Sequence, residues 1–335
     1  MTNPAIVVEG LTKRYGDVVA LDGIDFEVPA GSVFGLLGPN GAGKTTAVRI
    51  LATVLQPDGG RAEVMGRDVV KDPNGVRYRI GLAGQSAAVD PNLTGRENLQ
   101  LIGKLAQLAR PLIDPRAAEL LERFELSDAA DRPLRTYSGG MRRRLDVAAA
   151  LVQKPPVLFL DEPTTGLDLH SRNELWDMIR ELVADGTTVL LTTQYLEEAD
   201  LLAQRVAVVD GGRVIANDTP SALKAQMGST VIELDMGDEA SSARALELLS
   251  NLPGSHAERE GAMLHVTTDD GSHVLMEALR ALDAEDLAPA KLAVREPSLD
   301  DVFLSLTGHR AETETATAEP MAKSPSGARS KRGAA

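Results

Sequence analysis

The sequence predicts an α/β fold, because short apolar runs rich in β-branched residues alternate with segments of helical periodicity. Such runs cover Val33 to Leu37, Val157 to Leu160 and Thr188 to Thr192. The second run is apolar throughout, which indicates a strand in a sheet that is covered on both faces. Pro155 and Pro156 precede it and weaken the alternative, a buried fragment of helix.

The first residues, MTNPAIVVEG, predict an edge strand and not a signal peptide, because they lack a basic stretch followed by an apolar run. Export of the chain is therefore not expected. The sequence also lacks the ~18 consecutive apolar residues that would cross a bilayer. Any membrane-spanning part is expected to be another polypeptide.

A helical insert is predicted between Thr94 and Arg135. Thr94 with Glu97 resembles a capping box, and Leu99 and Ile102 recur at helical spacing. A first domain of residues 1–226 is predicted, with this helical subdomain at about 92–136.

A small α+β domain is predicted at residues 227–308. The final residues, 309–335, lack periodicity and are rich in Thr, Ala, Glu, Ser and Gly, which predicts a disordered tail. The elements expected in the small domain are strands Val231 to Met236, Ala262 to Thr268 and Lys291 to Val294, helices Ser242 to Leu249 and His273 to Leu282, and a short last helix.

Charge and composition disfavour several classes of protein. Lys and Arg total 35 against 49 Asp and Glu, and the formal net charge of -14 would repel a phosphate backbone. Nucleic acid is therefore not an expected partner. The absence of cysteine excludes disulfides, thiolate nucleophiles and Cys-ligated zinc.

A phosphate-binding loop is predicted by GPNGAGKTT, which follows the strand ending at Leu37 and opens a helix. Its glycines let backbone N–H groups converge on phosphate oxygens, Lys44 would span the β and γ phosphates, and Thr45 would supply a Mg²⁺ ligand. A glycine-rich structural turn is the alternative. The predicted nucleotide-binding residues here are Gly38, Pro39, Asn40, Gly41, Ala42, Gly43, Lys44, Thr45 and Thr46.

Two carboxylates follow the buried strand that ends at Leu160. Asp161 lies where open α/β sheets bind ligands and is expected to hold Mg²⁺. Glu162 is expected to polarise a water for in-line attack on the γ-phosphate. In isolation a solvated strand end would be the preferred interpretation, and the accompanying motifs favour the site.

The segment YSGGMRRR separates this chain from other proteins with a phosphate-binding loop. Ser138, Gly139 and Gly140 resemble the signature sequence of ABC ATPases, which in that family contacts the γ-phosphate of ATP held by the opposite subunit. A hydroxyl and unhindered amides at a helix N-terminus suit an anion, and an ordinary serine N-cap is the alternative. Tyr137 and Met141 replace the family's usual Leu and Gln. The resemblance implies a P-loop NTPase fold of the ABC ATPase type.

Three further positions match this family in order. The resemblance implies that Tyr15 stacks on adenine, that Gln85 links Mg²⁺ to the membrane partner as a catalytic and metal-site residue, and that Asp168 lies in the loop crossing the dimer interface. The alternatives are packing for the tyrosine and solvation for the glutamine.

One predicted catalytic residue departs from the family. Gln194 stands where ABC ATPases usually have a histidine that touches the γ-phosphate. Glutamine can hydrogen-bond to phosphate but carries no charge near neutral pH, so an obligatory histidine acid or base is excluded. An inactive ATPase is the alternative, and Lys44, Asp161 and Glu162 disfavour it.

The resemblance to ABC ATPases runs from Ile6 to about Gln226. Three sequence segments resemble those of the daunorubicin/doxorubicin-resistance ATPases of antibiotic-producing actinobacteria: TTQYLEEAD, YSGGMRRR and PSLDDVFLSLTG. This similarity implies drug efflux at the cytoplasmic face of the membrane, with ATP and Mg²⁺ as cofactors, a second ATPase copy and an integral membrane permease subunit as partners. The alternatives are export of a lipid, polysaccharide or peptide, and a non-transport ABC ATPase.

The last helix, in PSLDDVFLSLTG, has one predicted apolar face. Leu299, Val302, Phe303 and Leu306 recur at helical spacing, and Asp301 is expected on the opposite side with a capping-box contact to Ser298. The apolar face is expected to pack against a domain of the chain. The alternative is that it also stabilises assembly with a partner.

Overall fold

The structure of the protein, a computed structural model, describes residues 4–84, 89–227 and 230–307. These residues form fourteen strands and eleven α-helices. The strands are β1 (Pro4–Tyr15), β2 (Val18–Pro29), β3 (Val33–Leu37), β4 (Gly59–Val64), β5 (Arg67–Asp68), β6 (Ile80–Ala83), β7 (Val157–Asp161), β8 (Thr188–Thr193), β9 (Arg205–Asp210), β10 (Arg213–Asp218), β11 (Thr230–Asp235), β12 (Ser255–Glu260), β13 (Met263–Thr268) and β14 (Lys291–Arg295). The helices are α1 (Lys44–Leu51), α2 (Pro73–Arg77), α3 (Gly95–Leu105), α4 (Arg110–Arg123), α5 (Gly139–Ala150), α6 (Leu169–Ala184), α7 (Leu196–Leu202), α8 (Pro220–Ala225), α9 (Glu239–Leu249), α10 (Gly271–Asp283) and α11 (Leu299–Thr307).

A six-stranded sheet with the order β10-β9-β3-β8-β7-β6 confirms the predicted α/β class. Its strands are parallel except for β10, which pairs antiparallel with β9 at one edge. Every residue of β3, β7 and β8 is buried. One face packs against α1 and a second sheet, and the other packs against α5, α6 and α7. The predicted strand covered on both faces is thus confirmed for β7.

The second sheet is antiparallel, with the order β2-β1-β4-β5. The prediction that the first strand lies at an edge was wrong, because β1 pairs with β2 on one side and with β4 on the other. The alternation of apolar residues in β1 shows which face is buried. It does not show how many neighbours a strand has, since those neighbours come from later parts of the chain.

The helical insert begins as predicted. The Thr94 hydroxyl accepts a hydrogen bond from the backbone N–H of Glu97 at 3.1 Å, and the Glu97 carboxylate accepts one from the backbone N–H of Thr94 at 2.8 Å. This capping box fixes the start of α3, which packs against α4 and α5.

The C-terminal sheet has the order β12-β13-β11-β14 and its own apolar core beneath α9 and α10. Strand β12 was not predicted, because its sequence SHAERE has no alternation of apolar and polar residues. Helix α9 begins at Glu239, before the predicted Ser242, because Asp238 caps it by accepting bonds from two backbone N–H groups. The predicted domain boundaries at 226 and 308 stay predictions, and residues 309–335 lie outside the described residues.

Helix α11 buries Leu299, Val302 and Phe303 in the same core as α7 and α8 of the ATPase region. One expectation for this helix was wrong, since Leu306 is 43% exposed and not buried with the other apolar residues. Asp301 is only 5% exposed, and Arg295 donates to both of its carboxylate oxygens at 2.6 and 2.8 Å. The capping contact is confirmed, since the backbone N–H of Ser298 donates to Asp301 at 2.7 Å.

A helix that crosses a bilayer must be both long and apolar. In residues 4–84, 89–227 and 230–307, no helix meets both requirements.

Replacing Phe303 by alanine should lower the free energy of unfolding by ~3–5 kcal/mol, because a fully buried ring is lost and a cavity remains. The single tryptophan of the chain, Trp176, lies buried in α6 within the same core and provides the fluorescence signal for denaturant unfolding. Leu306→Ala, on the exposed side of α11, is the matched control and should change stability by less than about 0.5 kcal/mol. Equal stabilities of the two variants would contradict the packing described here.

Candidate functional site

The phosphate-binding loop lies between β3 and α1, as the sequence predicts. Gly43 precedes α1 with a φ of 107°, and a Cβ at this position would lie 2.3 Å from the carbonyl oxygen of Ala20. A Cβ on Gly38 would lie 2.1 Å from the carbonyl oxygen of Val209. Both glycines are therefore required by the close approach of neighbouring backbone, in addition to any contact with a ligand.

A cleft of about 180 Å³ opens at this loop. Lys44 is buried at its base, and its ammonium group donates to the carbonyl oxygens of Gly38 at 2.6 Å and Pro39 at 3.0 Å. Glu162 belongs to the lining, so the structure brings the predicted base to the predicted phosphate loop. The lining residues are Ala20, Asn40, Gly41, Ala42, Gly43, Lys44, Thr45, Thr46 and Glu162.

The two predicted metal ligands in the described residues meet directly. The hydroxyl of Thr45 donates to Asp161 Oδ1 at 3.0 Å, and the hydroxyl of Thr192 donates to the same oxygen at 2.6 Å. Asp161 is buried and aims its carboxylate at the start of α1. A hydroxyl and a carboxylate next to a phosphate loop are hard oxygen donors of the kind that Mg²⁺ prefers, so the residues fit that ion.

Glu162 has a left-handed backbone conformation, with a φ of 48°. This conformation costs a residue with a Cβ roughly 1–2 kcal/mol and persists only where the surroundings hold it. The backbone N–H of Glu162 donates to both the carbonyl oxygen of Thr192 at 3.1 Å and its hydroxyl oxygen at 3.0 Å. The turn thereby directs the Glu162 side chain into the cleft.

The signature segment forms the start of α5. Ser138 is the N-cap, and its hydroxyl accepts from the backbone N–H of Met141 at 3.2 Å. Ser138 and Gly139 are exposed, whereas a Cβ on Gly140 would lie 2.4 Å from the hydroxyl of Ser171. None of the described residues that line the phosphate-loop cleft belongs to this segment. Within one chain, the structure does not bring the signature segment and the phosphate loop together.

Tyr15 ends β1 and is 47% exposed. The ammonium group of Lys13 lies 5.9 Å from its ring centroid. The ring is accessible to a ligand, although it is not part of the cleft lining.

Asp168 caps α6 by accepting from the backbone N–H of Ser171 at 2.8 Å, and this hydrogen bond lowers the pKa of its carboxyl group. Asp168 is exposed and lies outside the cleft lining. Gln85 lies outside the described residues.

Gln194 comes directly after β8, whose last residue, Thr193, pairs with Leu37 at the end of β3. The side-chain oxygen Oε1 of Gln194 is buried and has no hydrogen-bond partner among the residues that the structure describes. This oxygen is therefore an unused hydrogen-bond acceptor, to which a bound ligand can donate.

Sequence reasoning missed Thr192 and Glu198. Thr192 lies in a strand that was recognised, but nothing local indicates that its hydroxyl reaches a carboxylate on the neighbouring strand. Glu198, in α7, is fully buried and accepts from the indole N–H of Trp176 at 3.1 Å, and its burial raises the pKa of its carboxyl group. Both depend on contacts between distant parts of the chain.

Comparison with known proteins gives consistent matches. Residues 21–165 match the family described as ABC transporter, and residues 219–307 match the family described as ATP-binding protein DrrA1-3-like, C-terminal domain. The chain is 52% identical over 318 residues to the daunorubicin resistance ATP-binding protein DrrA2 of Streptomyces coeruleorubidus, which covers 94% of this chain and 99% of that protein.

Two other proteins extend this comparison. The Nod factor export ATP-binding protein I of Ralstonia nicotianae is 41% identical over 309 residues, covering 92% of this chain and 95% of that protein. A solved ATP-binding cassette, a dimer in a post-hydrolysis state with ADP and phosphate, has a TM-score of 0.58 and 25% identity, covering 64% of this chain and 98% of that chain.

Thr192→Val should lower turnover by about 10- to 100-fold, because small displacements of reacting groups cost that much. The free energy of unfolding should also fall by ~1–3 kcal/mol, since Asp161 and the Glu162 N–H lose a partner. Thr192→Ser keeps the hydroxyl and should retain most of the turnover and of the free energy of unfolding. Steady-state ATP hydrolysis measures the first and denaturant unfolding the second. Parental turnover and stability in Thr192→Val would exclude a role for the hydroxyl in positioning Asp161 and Glu162.

Proposed function

This chain belongs to the ATP-binding subunits of ABC transporters, in the family of the daunorubicin-resistance ATP-binding proteins, and we propose that it drives export of hydrophobic, anthracycline-like drugs. It is an ATPase subunit of this family, and it binds ATP and ADP. The observation that carries the proposal is the cleft lined by the phosphate loop and Glu162, in which Thr45 donates a hydrogen bond to Asp161. The substrate class follows from the name of the relative that is 52% identical.

The proposed mechanism assigns one task to each part of the cleft. The amides of the phosphate loop and Lys44 bind the β and γ phosphates, and Glu162 orients a water and accepts its proton during attack on the γ-phosphate. Mg²⁺ would be held by Thr45 and Asp161, with Gln85 as a further proposed ligand, and would neutralise charge on the phosphates. Tyr15 is proposed to stack on the adenine ring.

A second copy of the chain is proposed to complete the site. Ser138, Gly139 and Gly140 are proposed to bind the γ-phosphate held by the partner subunit, and Asp168 to lie at the same interface. The exposure of Ser138, Gly139 and Asp168 supports this arrangement, as does the dimeric structure of a similar cassette with ADP and phosphate. A hydroxyl and free amides at the N-terminus of α5 suit an incoming anion.

A permease subunit is proposed as the membrane-spanning partner, with this chain at the cytoplasmic face of the membrane. The exposed apolar side chains of the neighbouring helices α3 and α4 are proposed to lie at this contact. They are Leu101, Leu105 and Leu112. Nucleic acid is not proposed as a partner, since the net charge is -14.

A second candidate substrate is supported by one comparison. The relative from Ralstonia nicotianae, 41% identical, is named for export of a Nod factor and not of a drug. Export of another molecule, such as a lipid, polysaccharide or peptide, is therefore the alternative. A non-transport role has no comparable support, because the relatives compared above are named for resistance or export.

The proposal is tested in inverted membrane vesicles from cells that express the full chain with its candidate permease. ATP with Mg²⁺ should drive accumulation of doxorubicin, measured by fluorescence quenching. Glu162→Gln should abolish accumulation and lower turnover by about 10²- to 10⁴-fold while ATP binding persists, because only the base is lost. ATP should then hold the variant as a stable dimer in size-exclusion chromatography.

Two outcomes of this experiment would contradict parts of the proposal. Hydrolysis at the parental rate would exclude Glu162 as the base. In the second outcome, the parental chain, co-purified with its permease, hydrolyses ATP without transporting doxorubicin. That result would reject the drug as substrate and favour export of another molecule.

Gln194 is proposed to act through position and hydrogen bonding, without a proton transfer. Gln194→His should therefore retain substantial turnover, because an imidazole can also donate to a phosphate oxygen. Gln194→Ala should lose about 10- to 100-fold, the value of a hydrogen bond to a charged group. Equal, full turnover of both variants, measured with saturating ATP, would rule out a role for this side chain.

A further inference from the structure

The strained turn at Glu162 is held from a second side, by Arg143 of helix α5. The Arg143 Nε–H donates to the carbonyl oxygen of Pro163 at 2.8 Å, and its Nη2–H donates to the carbonyl oxygen of Asp161 at 3.2 Å. These two carbonyls belong to the residues immediately before and after Glu162. Thr192 therefore fixes the N–H of this turn, and Arg143 fixes its carbonyls.

The same guanidinium reaches the strand on the other side of β7. Its Nη1–H donates to the carbonyl oxygen of Gly84 at 2.6 Å, and Gly84 comes directly after β6 and directly before Gln85. Strand β6 pairs in parallel with β7, and Gly84 and Asp161 come directly after the last paired residues, Ala83 and Leu160. One side chain thus joins three places: the turn of the proposed base, the segment that leads to Gln85, and the signature helix.

Arg143 is a largely buried arginine that is held in this position by an ion pair. Its side chain is only 12% exposed, and Asp146, one turn later on α5 and buried, supplies a counter-charge at 3.1 Å. A planar guanidinium offers five N–H donors in a fixed fork, which allows it to serve several carbonyls at once. A lysine offers three donors at one point and cannot match these separate directions.

We propose that Arg143 is a positioning residue for Glu162, which holds the strained turn in register with the signature helix. The inference rests on the proposed role of Glu162 as the base. It also assigns a route for communication: a shift of α5, when Ser138 at its start meets the partner's nucleotide, moves Arg143 and with it the carbonyls on both sides of Glu162. Arg143 is not among the residues that line the phosphate-loop cleft, so the role assigned to it acts through Glu162 and not through contact with ATP.

The test compares three variants of the purified full chain, with kcat and KM for ATP measured separately. Arg143→Met should lower kcat by about 10- to 100-fold, the effect of displacing a reacting group, and change KM by less than about threefold. Arg143→Lys should recover part of kcat. Arg144→Met is the matched control, because Arg144 is the next residue, is 13% exposed and pairs with Glu125 and Glu174, away from the turn. Its kcat should stay within about twofold of the parental value.

A double variant separates this inference from the proposed function. If Arg143 acts through Glu162, adding Arg143→Met to Glu162→Gln should cause no further fall in kcat, whereas independent roles would multiply the two losses. Parental kcat in Arg143→Met, an equal fall in Arg144→Met, or multiplied losses in the double variant would each overturn the inference. If Glu162→Gln alone hydrolyses ATP at the parental rate, the base assignment fails and this inference fails with it. Thermal unfolding of each variant verifies that the compared proteins are folded at the assay temperature.

Discussion

The parallel pairing of β3, β8 and β7 is the constraint on which the other features of the site depend. It aligns Leu37 with Thr193 and Asp161 with Thr192, so that the phosphate loop, the carboxylates and Gln194 all follow strand ends at one edge of the sheet. A shift by one residue would turn every side chain to the opposite face. The three strands are apolar or threonine-rich and buried on both faces, and this burial makes the register firm.

Polar contacts then refine what the register brings together. The hydroxyl of Thr192 serves two groups, the carboxylate of Asp161 and the N–H of Glu162, and Arg143 completes the support of the turn. Buried polar groups of this kind are costly when unpaired, so each one restricts its neighbour to one arrangement. These hydrogen bonds stabilise the left-handed backbone conformation of Glu162, which a glycine would adopt without strain.

Local patterns in the sequence predicted local structure well. The phosphate loop spans nine consecutive residues, and the Thr94–Glu97 capping box spans four. The conformation of each motif is therefore determined by neighbouring residues in the sequence. Contacts between distant residues were not predictable in the same way. The interior place of β1, the existence of β12 and the burial of Asp301 against Arg295 all depend on partners that periodicity does not identify.

The same distinction applies to the candidate site. The sequence placed Lys44, Asp161 and Glu162 near strand ends, and the structure brings their elements together. Neither the contacts of the Thr192 hydroxyl nor those of Arg143 with backbone carbonyls could be predicted, because their partners are 18 or more residues away in the sequence. The roles of Lys44, Asp161 and Glu162 stay predictions, as do those of the other site residues.

The position of α11 has a consequence for synthesis of the chain on the ribosome. Its residues Leu299, Val302 and Phe303 close an apolar core formed mainly by residues before 226. At ~5–20 residues per second, the stretch between α8 and α11 takes on the order of 4–15 s to translate. During that interval a nascent chain already contains the whole phosphate loop but leaves apolar surface on α7 and α8 uncovered. A polypeptide that terminates early therefore carries an incomplete core that chaperones and proteases can recognise, whereas the chain that reaches α11 conceals it.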